Sequence, residues 1–182
     1  MAFPGTYNFN YYRGDTFSFI ITPKNSSGGT YPLTGYSAEF NIATSRGGAI
    51  STTATYASGG ASGASTVTIA VANPSILLGQ KITGTNVAPN TFVAGINGTV
   101  ITMSNPASGQ ISGTLTFSNQ YSGIAEVNSA SNIVTCTIPP SVGRYAIGGT
   151  AYVYDVQITN GTSIYTILNG TITVTNDITG AI

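Results

Sequence analysis

The ionisable side chains are where chemistry would be expected, because acid–base catalysis and metal binding depend on them. The chain has 182 residues, with no histidine, and charged residues make up 5% of it. Ordinary globular proteins have roughly 25%. The acids are Asp15, Glu39, Glu126, Asp155 and Asp177, and the bases are Arg13, Lys24, Arg46, Lys81 and Arg144. This composition leaves little material for an active site.

Two catalytic arrangements could still be built from what remains. A pair of carboxylates can hydrolyse glycosides. Glu39 and Asp155 lie on the polar faces of predicted strands, however, while Glu126 and Asp177 stand apart in the sequence. A serine nucleophile would lack histidine as its base, and no motif surrounds either lysine. We therefore predict that the chain is not an enzyme and that it has no catalytic residue and no cofactor.

The single cysteine, Cys136, excludes an internal disulfide and a two-cysteine metal site. In the run Val134, Cys136, Ile138 it falls on the apolar face of a predicted strand. A small apolar environment keeps a thiol protonated. We predict a buried, inert thiol and no metal site.

The net charge of the chain is zero, so no long-range field attracts it to nucleic acid or to an anionic membrane. Zero net charge also favours association, which suits the subunit of a homo-oligomer or larger assembly. A neutral surface coated with Ser, Thr and Asn side chains is the alternative explanation. Residues 1–15 lack the pattern of a signal peptide, and no apolar run approaches the ~20 residues that span a bilayer. The sequence predicts synthesis in a cytoplasm, with no membrane or nucleic-acid partner.

The elements that must position any binding residue are strands. Apolar residues alternate with polar ones along most of the chain, the pattern of half-buried antiparallel strands. The runs are Tyr7–Tyr11, Phe17–Ile21, Tyr36–Ile42, Tyr152–Ile158, Ile164–Leu168 and Ile172–Val174. β-branched and aromatic residues dominate these runs, as a pleated surface favours. The fold class is predicted to be all-β.

Turn residues separate the predicted strands. Asn-Gly pairs at 97–98, 160–161 and 169–170 predict tight hairpin turns. Pro139-Pro140 predicts the end of the strand that contains Cys136. The helix signal is limited to one short turn, in which Asn73 would be the N-cap and Gly79 the stop.

The middle of the chain differs from its ends. Lys81 is the only charged residue between Arg46 and Glu126, and residues 51–65 are almost entirely Ser, Thr, Ala and Gly, which predicts a flexible connection. We predict an immunoglobulin-like antiparallel β-sandwich of about seven strands from residues 1–49 and 120–182. Residues 50–119 would form a small inserted Thr/Gly-rich β domain. One continuous sandwich is the alternative.

The aromatic-rich start is the strongest candidate for a binding surface. Tyr and Arg are enriched in protein interfaces. If alternate residues up to Tyr11 form the inner face of a first strand, Tyr12 points outward beside Arg13, and this pair is the predicted docking contact. Arg46 is a second candidate. The crowded aromatic residues are Phe3, Tyr7, Phe9, Tyr11 and Tyr12.

Four segments carry a resemblance to one family, and a fifth carries a resemblance to another. Tyr11–Phe19 and Pro32–Tyr36 resemble a segment common in tailed-phage virion proteins. Ala151–Ile158 and Leu168–Val174 look like the closing hairpin of the same module. Together they are similar to the N-terminal β-sandwich of phage baseplate upper proteins and to small structural proteins of marine and cyanobacterial phages. The run Gly79–Phe117 looks like a Thr/Gly-rich repeat of phage fibre proteins.

This resemblance implies a role in the virion and brings no catalytic motif with it. The chain departs from the baseplate proteins in lacking a long C-terminal receptor-binding region, which favours a compact protein. We predict a non-enzymatic phage virion structural protein, a decoration, cement or adaptor subunit whose partners are other virion proteins of the capsid or tail. The alternative is a carbohydrate-binding or host-adhesion module of a tail or baseplate, in which tyrosines stack on host glycans.

Overall fold

The computed structural model describes residues 4–46 and 50–178. It is built almost entirely from strands, which confirms the predicted all-β class. The strands are β1 (Gly5–Thr6), β2 (Phe9–Tyr12), β3 (Phe17–Ile21), β4 (Ser37–Ala43), β5 (Ile50–Gly59), β6 (Thr66–Ile69), β7 (Lys81–Thr85), β8 (Val93–Asn97), β9 (Val100–Met103), β10 (Ser112–Ser118), β11 (Gln120–Ser122), β12 (Ile124–Asn128), β13 (Ile133–Ile138), β14 (Ala151–Thr159) and β15 (Ile164–Thr175). Phe3 and the predicted boundary at residue 49 lie outside the described residues.

The chain divides into two compact units. The first comprises Met1–Thr44 and Ser122–Ile182, and the second comprises Ser45–Tyr121. The second unit thus interrupts the sequence of the first. The boundaries predicted from the sequence are 49/50 and 119/120.

The first unit has the strand arrangement of an immunoglobulin-like sandwich, as predicted. One sheet contains the strand order β1-β15-β14-β4, with β2 also paired to β15. The other sheet has the order β12-β13-β3. The central strand pairs are antiparallel, whereas β1 and β2 each run parallel to β15.

Aromatic rings replace the disulfide and tryptophan of antibody domains in the core of this sandwich. The ring of Phe40 on β4 packs edge-on against Phe19 of β3, with centroids 5.5 Å apart, and against Tyr154 of β14 at 5.7 Å. Phe40 is 1% exposed and Tyr154 is 2% exposed. Edge-to-face pairs of this kind add stability beyond the area that they bury.

A tyrosine corner fixes the entry to β14. The hydroxyl of Tyr152 accepts a hydrogen bond of 2.8 Å from the backbone amide of Ile147. Gly149, with a φ of +78°, makes the turn before the strand. This contact, from a tyrosine at the start of the strand to the backbone just upstream, is a hallmark of the immunoglobulin fold.

Cys136 on β13 is fully buried, as the sequence predicted. Burial raises the pKa of its thiol to about 12. At pH 8 the thiol is therefore protonated and shielded, and only the thiolate attacks disulfides. We expect an aromatic disulfide reagent to modify Cys136 at least roughly a hundredfold more slowly in the native protein than in 6 M guanidinium, measured by thiolate release. Rapid modification of the native protein would contradict this expectation.

The second unit is a single antiparallel sheet with the order β7-β10-β5-β6-β9-β8. Its core includes fully buried Ile69, Ile101, Leu115 and Phe117. The prediction of a flexible connection over residues 51–65 is wrong in its first part, because β5 lies in the middle of this sheet. Along β5, Ala54 and Tyr56 alternate with threonines and pack against the core of this unit.

Two of the three predicted Asn-Gly turns are confirmed. Gly98, with a φ of +59°, begins the turn after β8, and Gly161, with a φ of +85°, lies in the turn after β14. The third is wrong, because Asn169 and Gly170 lie inside the continuous strand β15. A Cβ on Gly170 would stand 1.9 Å from the carbonyl oxygen of Tyr7. Glycine is needed here for the close approach of another backbone segment and not for a turn.

The predicted helical turn after Asn73 is also wrong, since residues 74–79 are turns and coil. The side-chain oxygen of Asn73 accepts from the amide of Ser75 at 3.0 Å and forms an Asx turn, and the segment serves to bury Ile76. The strand that contains Cys136 ends at Ile138, directly before the proline pair, as predicted. The helix found among the described residues, α1 (Pro140–Gly143), follows it and was not predicted. No helix of the described residues has the length and apolar character to cross a membrane.

Candidate docking site

The sandwich has an open side at β3. Among the described strands, β3 pairs with β13 on one side only. In the immunoglobulin arrangement a first strand can cover this edge. Here β1 and β2 both pair with β15 on the other sheet, so the backbone edge of β3 is left without a neighbouring strand in the described part of the chain.

The sequence of β3 lacks the residues that discourage another strand from pairing with an exposed edge. Phe17–Ile21 contains no charged residue and no proline, the usual means of discouraging an incoming strand. Phe17 and Phe19 face the core but are only half-buried, and Ile20 on the outer face is 64% exposed. The edge therefore offers both backbone hydrogen-bonding groups and apolar surface to another strand.

A groove of about 400 Å³ runs along β2 and reaches β3. Its aromatic floor is ordered by ring stacking, with centroids 4.4 Å apart for Phe9 and Phe17 and 5.5 Å apart for Tyr7 and Phe9. On its polar rim, the side-chain oxygen of Asn8 accepts hydrogen bonds from the amide and the hydroxyl of Thr171. The lining residues are Tyr7, Asn8, Phe9, Asn10, Phe17, Thr171 and Thr173.

The structure places the predicted docking pair at the end of β2. Tyr12 is 59% exposed and shares the outward face of β2 with Asn10, so it extends the rim of the groove. Arg13 is half-buried, and its Nε donates to the carbonyl oxygen of Arg144 at 2.9 Å. Tyr12 is thus available to a partner, whereas the Nε of Arg13 already anchors the segment after β2.

Arg46, the second predicted docking residue, is exposed and belongs to the other unit, directly before residues 47–49, which the structure does not describe. Of the three predicted docking residues, only Tyr12 and Arg13 are placed in one unit.

Three tyrosines that were not predicted from the sequence as binding residues meet at one end of the first unit. Tyr31 and Tyr36 come from the loop between β3 and β4, and Tyr165 from the start of β15. Their ring centroids lie 5.9 Å (Tyr31 to Tyr36), 6.5 Å (Tyr31 to Tyr165) and 6.4 Å (Tyr36 to Tyr165) apart. We call this group the tyrosine cluster. A hydrogen bond of 3.0 Å joins the hydroxyls of Tyr31 and Tyr36 and raises the pKa of Tyr31 to about 12.

Asparagine side chains hold the loops around the tyrosine cluster. The oxygen of Asn25 accepts from the amides of Ser27 and Gly29. The oxygen of Asn160 accepts from the amides of residues 162 and 163 in the loop between β14 and β15. The oxygen of Asn132, in the loop between β12 and β13, accepts from the amide of Leu33 at 2.8 Å. Each of the three loops is thus stabilised by hydrogen bonds from backbone amides to an asparagine side chain.

The acidic residues form no metal-binding group. Within residues 4–46 and 50–178, no three His, Cys, Asp or Glu side chains lie close enough to hold a metal ion together. Glu39 is opposite Gln157, and Asp155 is opposite Asn41, so the two carboxylates are diagonal neighbours on β4 and β14. Gln157 donates to Asp155 at 3.1 Å. These polar faces agree with the predicted alternation.

Neither a comparison with protein-family models nor one with curated proteins finds a match to the chain.

Proposed function

We propose that the chain is a non-enzymatic phage virion structural protein, a decoration or adaptor subunit that docks on the assembled capsid or tail by accepting a β-strand at the open edge of β3. The observation that carries this proposal is the unprotected edge, with half-buried Phe17 and Phe19 on its inner face and exposed Ile20 on its outer face. The assignment to a virion draws on the sequence resemblance described above.

Strand addition suits this edge for two physical reasons. An incoming strand gains main-chain hydrogen bonds along β3, and its alternate side chains can fill the aromatic groove over Phe9 and Phe17. The strand and the chain as a whole are neutral, so no charge repulsion opposes docking. A stable contact would bury on the order of 1,000 Å² or more. Tyr12 on the rim is well placed to extend the contact.

Neutrality also favours repeated copies on one particle, as in a symmetric homo-oligomer. The partners in this proposal are other virion proteins, and the protein reaches the particle from the host cytoplasm. The rings of Phe19, Phe40 and Tyr154 occupy the place of the antibody disulfide. The fold therefore requires no oxidising compartment.

Changing Ile20 to lysine is expected to block incorporation into particles. The side chain is 64% exposed, so the fold should tolerate the change, while a charge on an edge strand discourages strand addition. We expect at least about a tenfold lower ratio of this protein to the major capsid protein in purified particles, measured by quantitative mass spectrometry.

Val71→Lys is the matched control, because Val71 is a 74% exposed aliphatic residue of the second unit and acquires the same charge. Its incorporation should equal that of the wild type. Tyr12→Ala should cause a smaller loss than Ile20→Lys. Normal incorporation of Ile20→Lys would show that docking does not use β3.

A further inference from the structure

We propose that the tyrosine cluster binds a neutral glycan through its pyranose rings. This site lies in the first unit, at the end formed by the loops that follow β3, β12 and β14. It is separate from the docking edge and does not depend on it. Two of these loops, those that follow β3 and β14, correspond to the B–C and F–G loops that carry part of the binding site in antibody variable domains.

None of the three ring pairs in the tyrosine cluster is stacked face to face. Tyr31 meets Tyr36 at 68° and Tyr165 at 76°, and Tyr36 and Tyr165 are tilted by 39°. Edge-on packing leaves ring faces for another planar, apolar surface, and all three tyrosines are half-buried and not enclosed. The C–H face of a pyranose ring carries weak positive charge and packs well on the negative face of an aromatic ring.

The surroundings favour a neutral ligand. Lys24 is the only charged residue in the loops 22–36, 129–132 and 160–163. The hydroxyls of Tyr31 and Tyr36 supply hydrogen-bonding groups at the cluster, which suits a polyhydroxylated ligand. A protein partner is less favoured. A stable protein contact buries roughly 800 Å² on each side, whereas the three loops and the residues that flank them contain only one exposed large apolar side chain, that of Ile164.

Pre-organisation strengthens this inference. The side chains of Asn25, Asn132 and Asn160 fix the three loops by hydrogen bonds to backbone amides. A rigid aromatic platform loses little conformational entropy on binding, which is how tyrosine-rich binding sites gain affinity.

Affinity electrophoresis of the full chain tests the proposal, in native gels that contain dextran, mannan or galactan, with alginate as the acidic comparison. We expect the protein to be retarded in at least one of the neutral gels. We expect no retardation that occurs in the alginate gel alone. The double variant Tyr36→Ala with Tyr165→Ala should bind about tenfold more weakly. Tyr36→Phe with Tyr165→Phe keeps the rings and should retain most of the affinity, which guards against a loss caused by misfolding.

Tyr12→Ala is the control for removal of an exposed tyrosine. Tyr12 pairs with Thr175, ten residues from Tyr165 on the same strand, or roughly 33 Å away, so its loss should leave retardation unchanged. No retardation of the wild type in any neutral gel would overturn the proposal, as would equal retardation of the double alanine variant. If that variant instead lost particle incorporation, the cluster would be a protein contact. Ile20→Lys should bind glycan normally, so the two proposals can fail separately.

Discussion

Phe40→Ala is expected to lower the free energy of unfolding of the first unit by about 3–5 kcal/mol, the cost of emptying a large aromatic site in a core. Phe40 is 1% exposed and meets both Phe19 and Tyr154 edge-on, with centroids 5.5 and 5.7 Å away. It therefore links the two sheets where antibody domains use tryptophan and a disulfide. The described residues contain neither a disulfide nor a group of side chains that could hold a metal ion, so no link of either kind would compensate for the loss.

Urea denaturation followed by near-ultraviolet circular dichroism would measure this change. Hydrogen exchange resolved by mass spectrometry would assign it, because peptides from β3 and β14 report on the first unit and peptides from β6 and β9 on the second. Phe92→Ala is the matched control: Phe92 is also 1% exposed but stacks on Tyr121 in the second unit. A loss below about 1 kcal/mol for Phe40→Ala would mean that the rings do not hold the sheets together.

The alternation in the sequence was enough to predict most strands of the first unit, because a half-buried strand requires a period of two. It also placed Tyr12 outward, and the side chain is 59% exposed. The alternation failed at β5, where Thr, Ala and Ser look like a linker. Composition cannot show that Ala54 and Tyr56 pack on the core of the second unit, since that depends on neighbours distant in sequence.

The open edge could not be predicted for a similar reason. Whether β3 is covered depends on which sheet β1 and β2 join, and both join β15, more than 150 residues later in the chain. The tyrosine cluster also depends on a long-range arrangement, since Tyr31 and Tyr165 meet only when the strand order brings their loops together. Once that order is known, tyrosines in the loop after β3 and at the start of β15 predict a cluster at this end of the unit.

Gly170→Ala is expected to detach the N-terminal strands from β15 and to destabilise the first unit by about 1–3 kcal/mol, the usual cost of overpacking. The added Cβ would stand 1.9 Å from the carbonyl oxygen of Tyr7, which is backbone and cannot rotate away. That same oxygen accepts a hydrogen bond of 2.7 Å from the hydroxyl of buried Tyr154. Moving Tyr7 aside therefore breaks this bond and leaves a buried hydroxyl without its acceptor, which adds to the cost.

Gly5→Ala separates this effect from the general cost of an added methyl group. Its Cβ would meet the flexible tip of Leu168 at 3.3 Å, so we expect a change below about 1 kcal/mol. Hydrogen exchange in residues 4–12 should accelerate in Gly170→Ala alone. Because Tyr7 and Phe9 line the docking groove, Gly170→Ala should also reduce particle incorporation. If both variants proved equally stable, the N-terminal strands would not depend on close approach to Gly170. The position of Tyr7 in the groove would then have another cause.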